Sequence, residues 1–238
     1  MPYFCHEFPD VLTVPTRVVD ARPGAVVLER TPFHPGGGGQ LADRGVLRWQ
    51  GGEARVTAIE ADGERFWHVL GEPVEIAGAV EVAVDAEFRA LMAQLHTNAH
   101  VISALVFQRF AGALITGAQL NADGTARVDF DLPEADNERL RALEPEINDV
   151  IRQDLDVRYA WIPVAEAAAE PGLLRSRSVT PPPSPDGRVR IVEIVGLDRQ
   201  ACGGTHLAST GRSRPVRILK IDNKGRHNRR VRLGLAEG

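Results

Sequence analysis

The chain has 238 residues, 43% hydrophobic and 25% charged, which is enough for one large or two small globular domains with a real core. No apolar run approaches the ~20 residues a membrane helix needs. The opening MPYFCHEFPDVL lacks the basic-then-apolar pattern of a signal peptide. With only two cysteines, Cys5 and Cys202, no disulfide scaffold is expected, and a reducing cytoplasm is the expected location. Cys5 lies near the terminus and carries no motif.

Residues 11–84 read as β structure. Short apolar runs, such as 25–28 and 80–84, lie between glycine and proline signals, as in a small antiparallel sheet or barrel. The glycine-rich loop 35–40 interrupts them. The period then changes. Asp85 is placed to cap a helix over 86–110, where Leu91, Leu95, Ile102, Leu105 and Phe110 recur at roughly helical spacing. A boundary is expected there, giving domains 1–85 and 86–238. Strands are expected near 113–120 and 126–131. A helix over about 134–155 follows, with Leu140, Leu143, Ile147 and Ile151 on one face and Pro145 kinking or dividing it. A strand at 157–162, an Ala-rich helix near 164–170 and a proline-rich loop at 181–185 come next. Strands at 189–195, 216–221 and 231–235 complete an α+β half, with helices packed on one face of a sheet.

The net charge of -4 argues against a general nucleic-acid binder, but the charge is uneven: residues 212–238 carry a local +7 on an otherwise acidic body. Such a basic stretch suits either phosphate contact at one place or a solvated strand pair.

Two short motifs carry metal chemistry. In His96-Thr97-Asn98-Ala99-His100 the two imidazoles lie four residues apart on one helix face, so they can grip a single ion. Cys202-Gly203-Gly204-Thr205-His206 follows a predicted strand, and its glycines let the backbone turn sharply. Each pair alone also fits ordinary core residues; together they favour a metal. Three nitrogens and a thiolate suit a tetrahedral zinc. Thr97 and Asn98 stand where a metalloprotease carries Glu, and the H-x-E and P-C-x-x-C elements of nucleobase deaminases are absent. Four protein ligands close the shell, as structural zinc does; catalysis would need a weak ligand, a fifth position or displacement by substrate.

The third constellation runs from Thr31 through Gly36-Gly37-Gly38-Gly39-Gln40 to Asp43 and Gly45. It lacks the Gly-Lys-Ser/Thr of a Walker loop, so no nucleotide cofactor is expected. It is either an ordinary flexible loop or a backbone cradle in which Thr31 and Gln40 offer hydrogen bonds to a small polar substrate.

The stretch Glu29-Arg30-Thr31-Pro32-Phe33-His34-Pro35, with the loop ending at Gln40 and with Asp43 and Gly45, resembles the glycine-rich motif of the AlaX family. These are freestanding relatives of the alanyl-tRNA synthetase editing domain. His96 to His100 resembles that family's first zinc motif. Ala201-Cys202-Gly203-Gly204-Thr205-His206, followed by Ser209-Thr210-Gly211, resembles its second. Ile218-Leu219-Lys220-Ile221, Lys224-Gly225 and Asn228-Arg229-Arg230-Val231 are similar to its C-terminal strands, and Thr116-Gly117-Ala118-Gln119 is a looser match. The resemblance covers nearly the whole chain. Two residues depart from it: Asn98, where the family usually has a small or apolar residue, and His34, where Tyr is common.

The resemblance implies an α+β fold, a small N-terminal β-barrel-like domain followed by a two-layer α/β sandwich editing domain. It implies zinc bound by His96, His100, Cys202 and His206. It further implies a hydrolase that acts in trans on tRNA-Ala mischarged with serine or glycine, with no membrane involved. Thr31 is expected to help read the serine side chain and Gln40 to help hold the substrate. Lys220, Lys224, Arg226, Arg229 and Arg230 are expected phosphate contacts. The alternatives are a non-catalytic zinc-stabilised tRNA-binding module, or editing of Ser-tRNA-Thr. Serine against glycine preference, the general base, and zinc's role in activating water or orienting substrate are left open by the residues alone.

Overall fold

In the computed structural model, residues 3–63, 65–133, 136–170, 172–175, 181 and 183–237 are described. The chain divides into two compact units, residues 1–37 with 41–90, and residues 38–40 with 91–238.

The first unit begins with a short helix α1 (Phe4–Glu7) and continues as strands β1 (Thr13–Arg22), β2 (Ala25–Leu28), β3 (Gly45–Trp49), β4 (Gly52–Asp62), β5 (Arg65–Leu70) and β6 (Ala79–Val84). These close into a barrel in the order β1-β2-β5-β4-β3-β6, each neighbour antiparallel. Closure leaves no unpaired edge. Register shifts between Val18 and Asp20 and between Val56 and Ala58 bend the two longest strands. Inward residues alternate along β6, where Val80, Val82 and Val84 are buried. They pack with Val14, Val26, Leu47, Val56 and Phe33 into the barrel core.

Helix α2 (Ala86–Arg109) starts where the period changes. Asp85 caps it: Phe88 N–H donates to Oδ1 at 3.0 Å, satisfying one of the free donors of the first turn. The helix is buried on all sides from Leu95 to Val106, as happens when a helix forms the centre of a unit rather than its surface.

The second unit holds two sheets. One has the order β12-β13-β8-β7, built from β7 (Ile115–Leu120), β8 (Thr125–Asp131), β12 (Val216–Lys224) and β13 (Asn228–Leu235). The other has the order β11-β10-β9, built from β9 (Val157–Pro163), β10 (Arg188–Ile194) and β11 (Asp198–Ala201). The helix expected over 134–155 is two helices, α3 (Asn137–Arg141) and α4 (Leu143–Gln153), divided at Ala142. Pro145 therefore sits in the first turn of α4, where a missing N–H costs no hydrogen bond. Both helices pack against β12. The short α5 (Val164–Ala169) packs on β9 and β10, and its Ala167 joins Ile162, Leu173, Val189 and Ile191 in a local core. Strand β11 was not foreseen. Residues 134, 135 and 182 of the expected helix and loop lie outside the described residues. No helix among the described residues is long and apolar enough to cross a membrane.

Candidate metal centre

Helix α2 and the turn after β11 bring four donors together in the second unit. His96, His100, Cys202 and His206 are all buried, and their ligand atoms lie within 4.8 Å of one another. Cys202 Sγ is 3.4 Å from His96 Nε2 and 3.3 Å from His206 Nε2. The one-turn spacing of His96 and His100 sets their ring centroids 5.3 Å apart, and His206 lies 4.5 Å from each.

Two of the imidazoles have a hydrogen-bond partner at their other nitrogen, and the third faces a carboxylate. His96 Nδ1 pairs with Gln40 Oε1 at 2.8 Å, and His206 Nδ1 with Thr97 Oγ1 at 3.3 Å. His100 Nδ1 faces Asp198 Oδ2 at 3.5 Å. Such partners fix ring orientation and leave the second nitrogen for an ion. Asp198 is in turn held by Arg175 at 2.6 Å and by Gln200 at 2.7 Å. Arg175 stacks on Phe107 of α2 at 4.1 Å.

The turn between Cys202 and His206 is tightly held. Arg190 of β10 donates to the carbonyls of Cys202 (3.0 Å) and Gly204 (2.9 Å), and Thr97 accepts the N–H of Leu207 at 3.1 Å. Gly204 is required by close approach: a Cβ there would stand 2.0 Å from His96 Cε1. Gln40 accepts the N–H of Thr205 at 3.0 Å and donates to its hydroxyl at 2.8 Å. The glycines at 36–39 all have positive φ, which carries the loop to Gln40 along a path that other residues rarely adopt.

The electrostatics follow from this crowding. Burial pushes the Cys202 thiol up, but the imidazoles of His96, His100 and His206 outweigh it and hold the thiol well below its ordinary range. Burial lowers His100, yet Cys202 and Asp198 raise it to about 9. His206 is held well below its ordinary value by burial and by His96 and His100. The Cys202 thiolate is the donor state a metal requires, and a bound cation would displace the proton that His100 holds without one.

Thr31 is half-buried in the first unit, with Oγ1 2.7 Å from His68 Nε2. Nearby in the same unit, buried Asp43 accepts the His34 N–H at 2.6 Å and pairs with Arg89, whose guanidinium also donates to Pro32 O at 2.8 Å. Of the five basic residues expected at phosphates, Lys220, Lys224 and Arg226 are exposed, the last two around the β12–β13 turn. Lys220 pairs with Asp222 at 2.7 Å, Arg230 grips Asp129 with two 2.8 Å bonds, and Arg229 is buried. Asn98, one of the two departures, donates to Ser213 Oγ at 2.6 Å and so ties α2 to the segment before β12. Sequence reasoning missed Asp198, Gln200, Arg175, Arg190 and His68. None of these lies in a short motif, although Asp198 and Gln200 do alternate just before Cys202.

Comparison with known proteins points the same way. Residues 189–232 match the family model described as the threonyl and alanyl tRNA synthetase second additional domain, and residues 7–88 match that of class II (A) tRNA synthetases. The alanine–tRNA ligase of Pyrobaculum neutrophilum is 36% identical over 215 residues, covering 87% of this chain but 23% of the ligase. The alanyl-tRNA editing protein AlaX-M of Saccharolobus solfataricus is 34% identical over 221 residues, covering 90% of both chains. The AlaX-M of Methanosarcina barkeri is 37% identical over 224 residues, covering 89% of both. With such identity along nearly the whole of both chains, this chain belongs to the AlaX-M family of alanyl-tRNA editing proteins.

Proposed function

We propose that this chain hydrolyses the ester joining a wrong amino acid to tRNA-Ala, acting in trans with a zinc ion held by His96, His100, Cys202 and His206. The observation that carries the proposal is the buried set of three imidazoles and one thiol, with Gln40 and Thr97 bonded to His96 and His206 and the Asp198 carboxylate facing His100. At Zn–N ~2.0–2.1 Å and Zn–S ~2.3 Å, tetrahedral geometry places a nitrogen and the sulfur about 3.5–3.6 Å apart. The Sγ–Nε2 separations of 3.4 and 3.3 Å are slightly inside that span, so a small outward shift would admit the ion. Bound zinc would supply a Lewis acid for the aminoacyl group. Residues 1–85 would then form the glycine-loop domain and residues 86–238 a two-layer α/β editing domain.

Correction is chemically necessary because a pocket shaped for alanine cannot strongly reject a residue that adds only a hydroxyl. We assign serine recognition to Thr31, whose hydroxyl is held by His68. Gln40 acts in substrate positioning by fixing His96 and Thr205. Phosphate contact falls first to the exposed Lys224 and Arg226, then to Lys220, exposed but paired with Asp222, and last to the less exposed Arg229 and Arg230.

Purified protein incubated with Ser-tRNA-Ala, Gly-tRNA-Ala and Ser-tRNA-Thr tests this. Serine release from Ser-tRNA-Ala, lost with a chelator and restored by zinc, is expected. Binding without release by the zinc-loaded protein would make the chain a non-catalytic tRNA-binding module, and preferential release from Ser-tRNA-Thr would overturn the substrate.

A further inference from the structure

His68, on β5 of the barrel, has no exposed surface, and its Nε2 lies 2.7 Å from Oγ1 of Thr31. Phe33 meets the imidazole edge-on, with centroids 5.4 Å apart, and the Phe33 N–H donates to the same Thr31 oxygen at 3.3 Å. Burial, partly offset by the backbone of Val26 and Phe66, lowers the His68 pKa to about 4, so the ring is neutral at working pH.

A neutral imidazole has one N–H and one bare nitrogen. Either Nε2 donates to Thr31, or the Thr31 hydroxyl donates to a bare Nε2. The Phe33 N–H already donates to Thr31 Oγ1, so that oxygen is an acceptor, and His68 Nε2 is its other contact and the one able to take the hydroxyl proton. The second arrangement follows, with the proton on Nδ1.

We infer that His68 is a positioning residue for specificity: by accepting the Thr31 hydroxyl proton, it leaves Thr31 with lone pairs only, able to recognise a hydrogen-bond donor such as the serine hydroxyl. Glycine and alanine offer no such donor. This rests on the assignment of serine recognition to Thr31.

The test compares deacylation of Ser-tRNA-Ala and Gly-tRNA-Ala. His68→Leu should lower the serine-to-glycine ratio of kcat/KM about tenfold, the size of one lost oriented hydrogen bond. The glycine rate should stay within about twofold, since that substrate never makes the bond. Thr31→Val should show the same loss, and the double variant no further loss. His68→Gln, whose amide oxygen can stand near the Nε2 position, should restore much of the ratio. An unchanged ratio in Thr31→Val would overturn the assignment to Thr31. A fall in Thr31→Val without one in His68→Leu would overturn the role of His68 alone. The wild-type protein supplies a second arm that needs no variant to fold. A two-bond 1H–15N correlation spectrum should show His68 with a proton on Nδ1 and a bare Nε2, and a proton on Nε2 would overturn the inference.

Discussion

Gln40 Oε1 stands 2.8 Å from Nδ1 of His96, and the same amide grips Thr205 through both its oxygen and its nitrogen. One side chain at the end of the glycine loop thus orients His96 of α2 and steadies the turn that carries Cys202 and His206. Gln40→Ala should weaken zinc binding about ten- to hundredfold, as loss of an outer partner typically does. Competition with a chromophoric chelator reads this directly, and unchanged affinity would remove the coupling.

Asp198 plays the matching part for His100, and Arg175 and Gln200 hold it in turn. Asp198→Asn should keep the fold and lose metal affinity about ten- to hundredfold. Arg175→Met should show a smaller loss in the same chelator assay, because Gln200 still holds Asp198.

Gly204→Ala tests close packing at the centre. Its Cβ would overlap the His96 ring, so His96 or the turn must shift. Metal content should fall sharply while the barrel unit stays folded, measured as zinc per chain beside a far-ultraviolet spectrum.

Asp85→Ala should cost about 0.5–2 kcal/mol by removing the cap of α2. The Phe88 N–H, helped by Arg44, holds the Asp85 carboxyl below its ordinary value. A depressed folded pKa means the contribution is full above the unfolded value of about 3.9 and is lost as pH falls through the folded one. Denaturant melts of wild type and variant should therefore differ at neutral pH and converge in acid.

Lys224→Glu and Arg226→Glu should weaken tRNA binding and flatten its salt dependence, by about one in the logarithmic slope for each phosphate the native side chain neutralises. Arg230→Ala should instead act mainly through stability, because it strips Asp129 of its bidentate partner. Titrations at several salt concentrations distinguish the two effects.

Much of this was legible in the residues. Alternating valines flanked by glycines marked the barrel strands, and the acidic cap marked the start of α2 within a residue. The buried cluster of His96, His100, Cys202 and His206 was readable because His-x-x-x-His and Cys-x-x-x-His are local spacings. The outer partners were not, because Gln40 is 56 residues from His96 and Asp198 lies on another strand. Strand β11 escaped notice for a related reason. Its buried positions are Asp198 and Gln200, which are tolerated inside because they bond each other and Asp198 also bonds Arg175, so no apolar alternation marks the strand. The division of the helix at Ala142 rather than at Pro145 reflects the freedom of proline in a first turn.

The most direct measurement is serine release from Ser-tRNA-Ala by protein of known zinc content, taken as purified, stripped by chelator and reloaded. The proposed hydrolase requires activity to rise and fall with zinc occupancy while the fold persists. Full activity in folded, metal-free protein would contradict it.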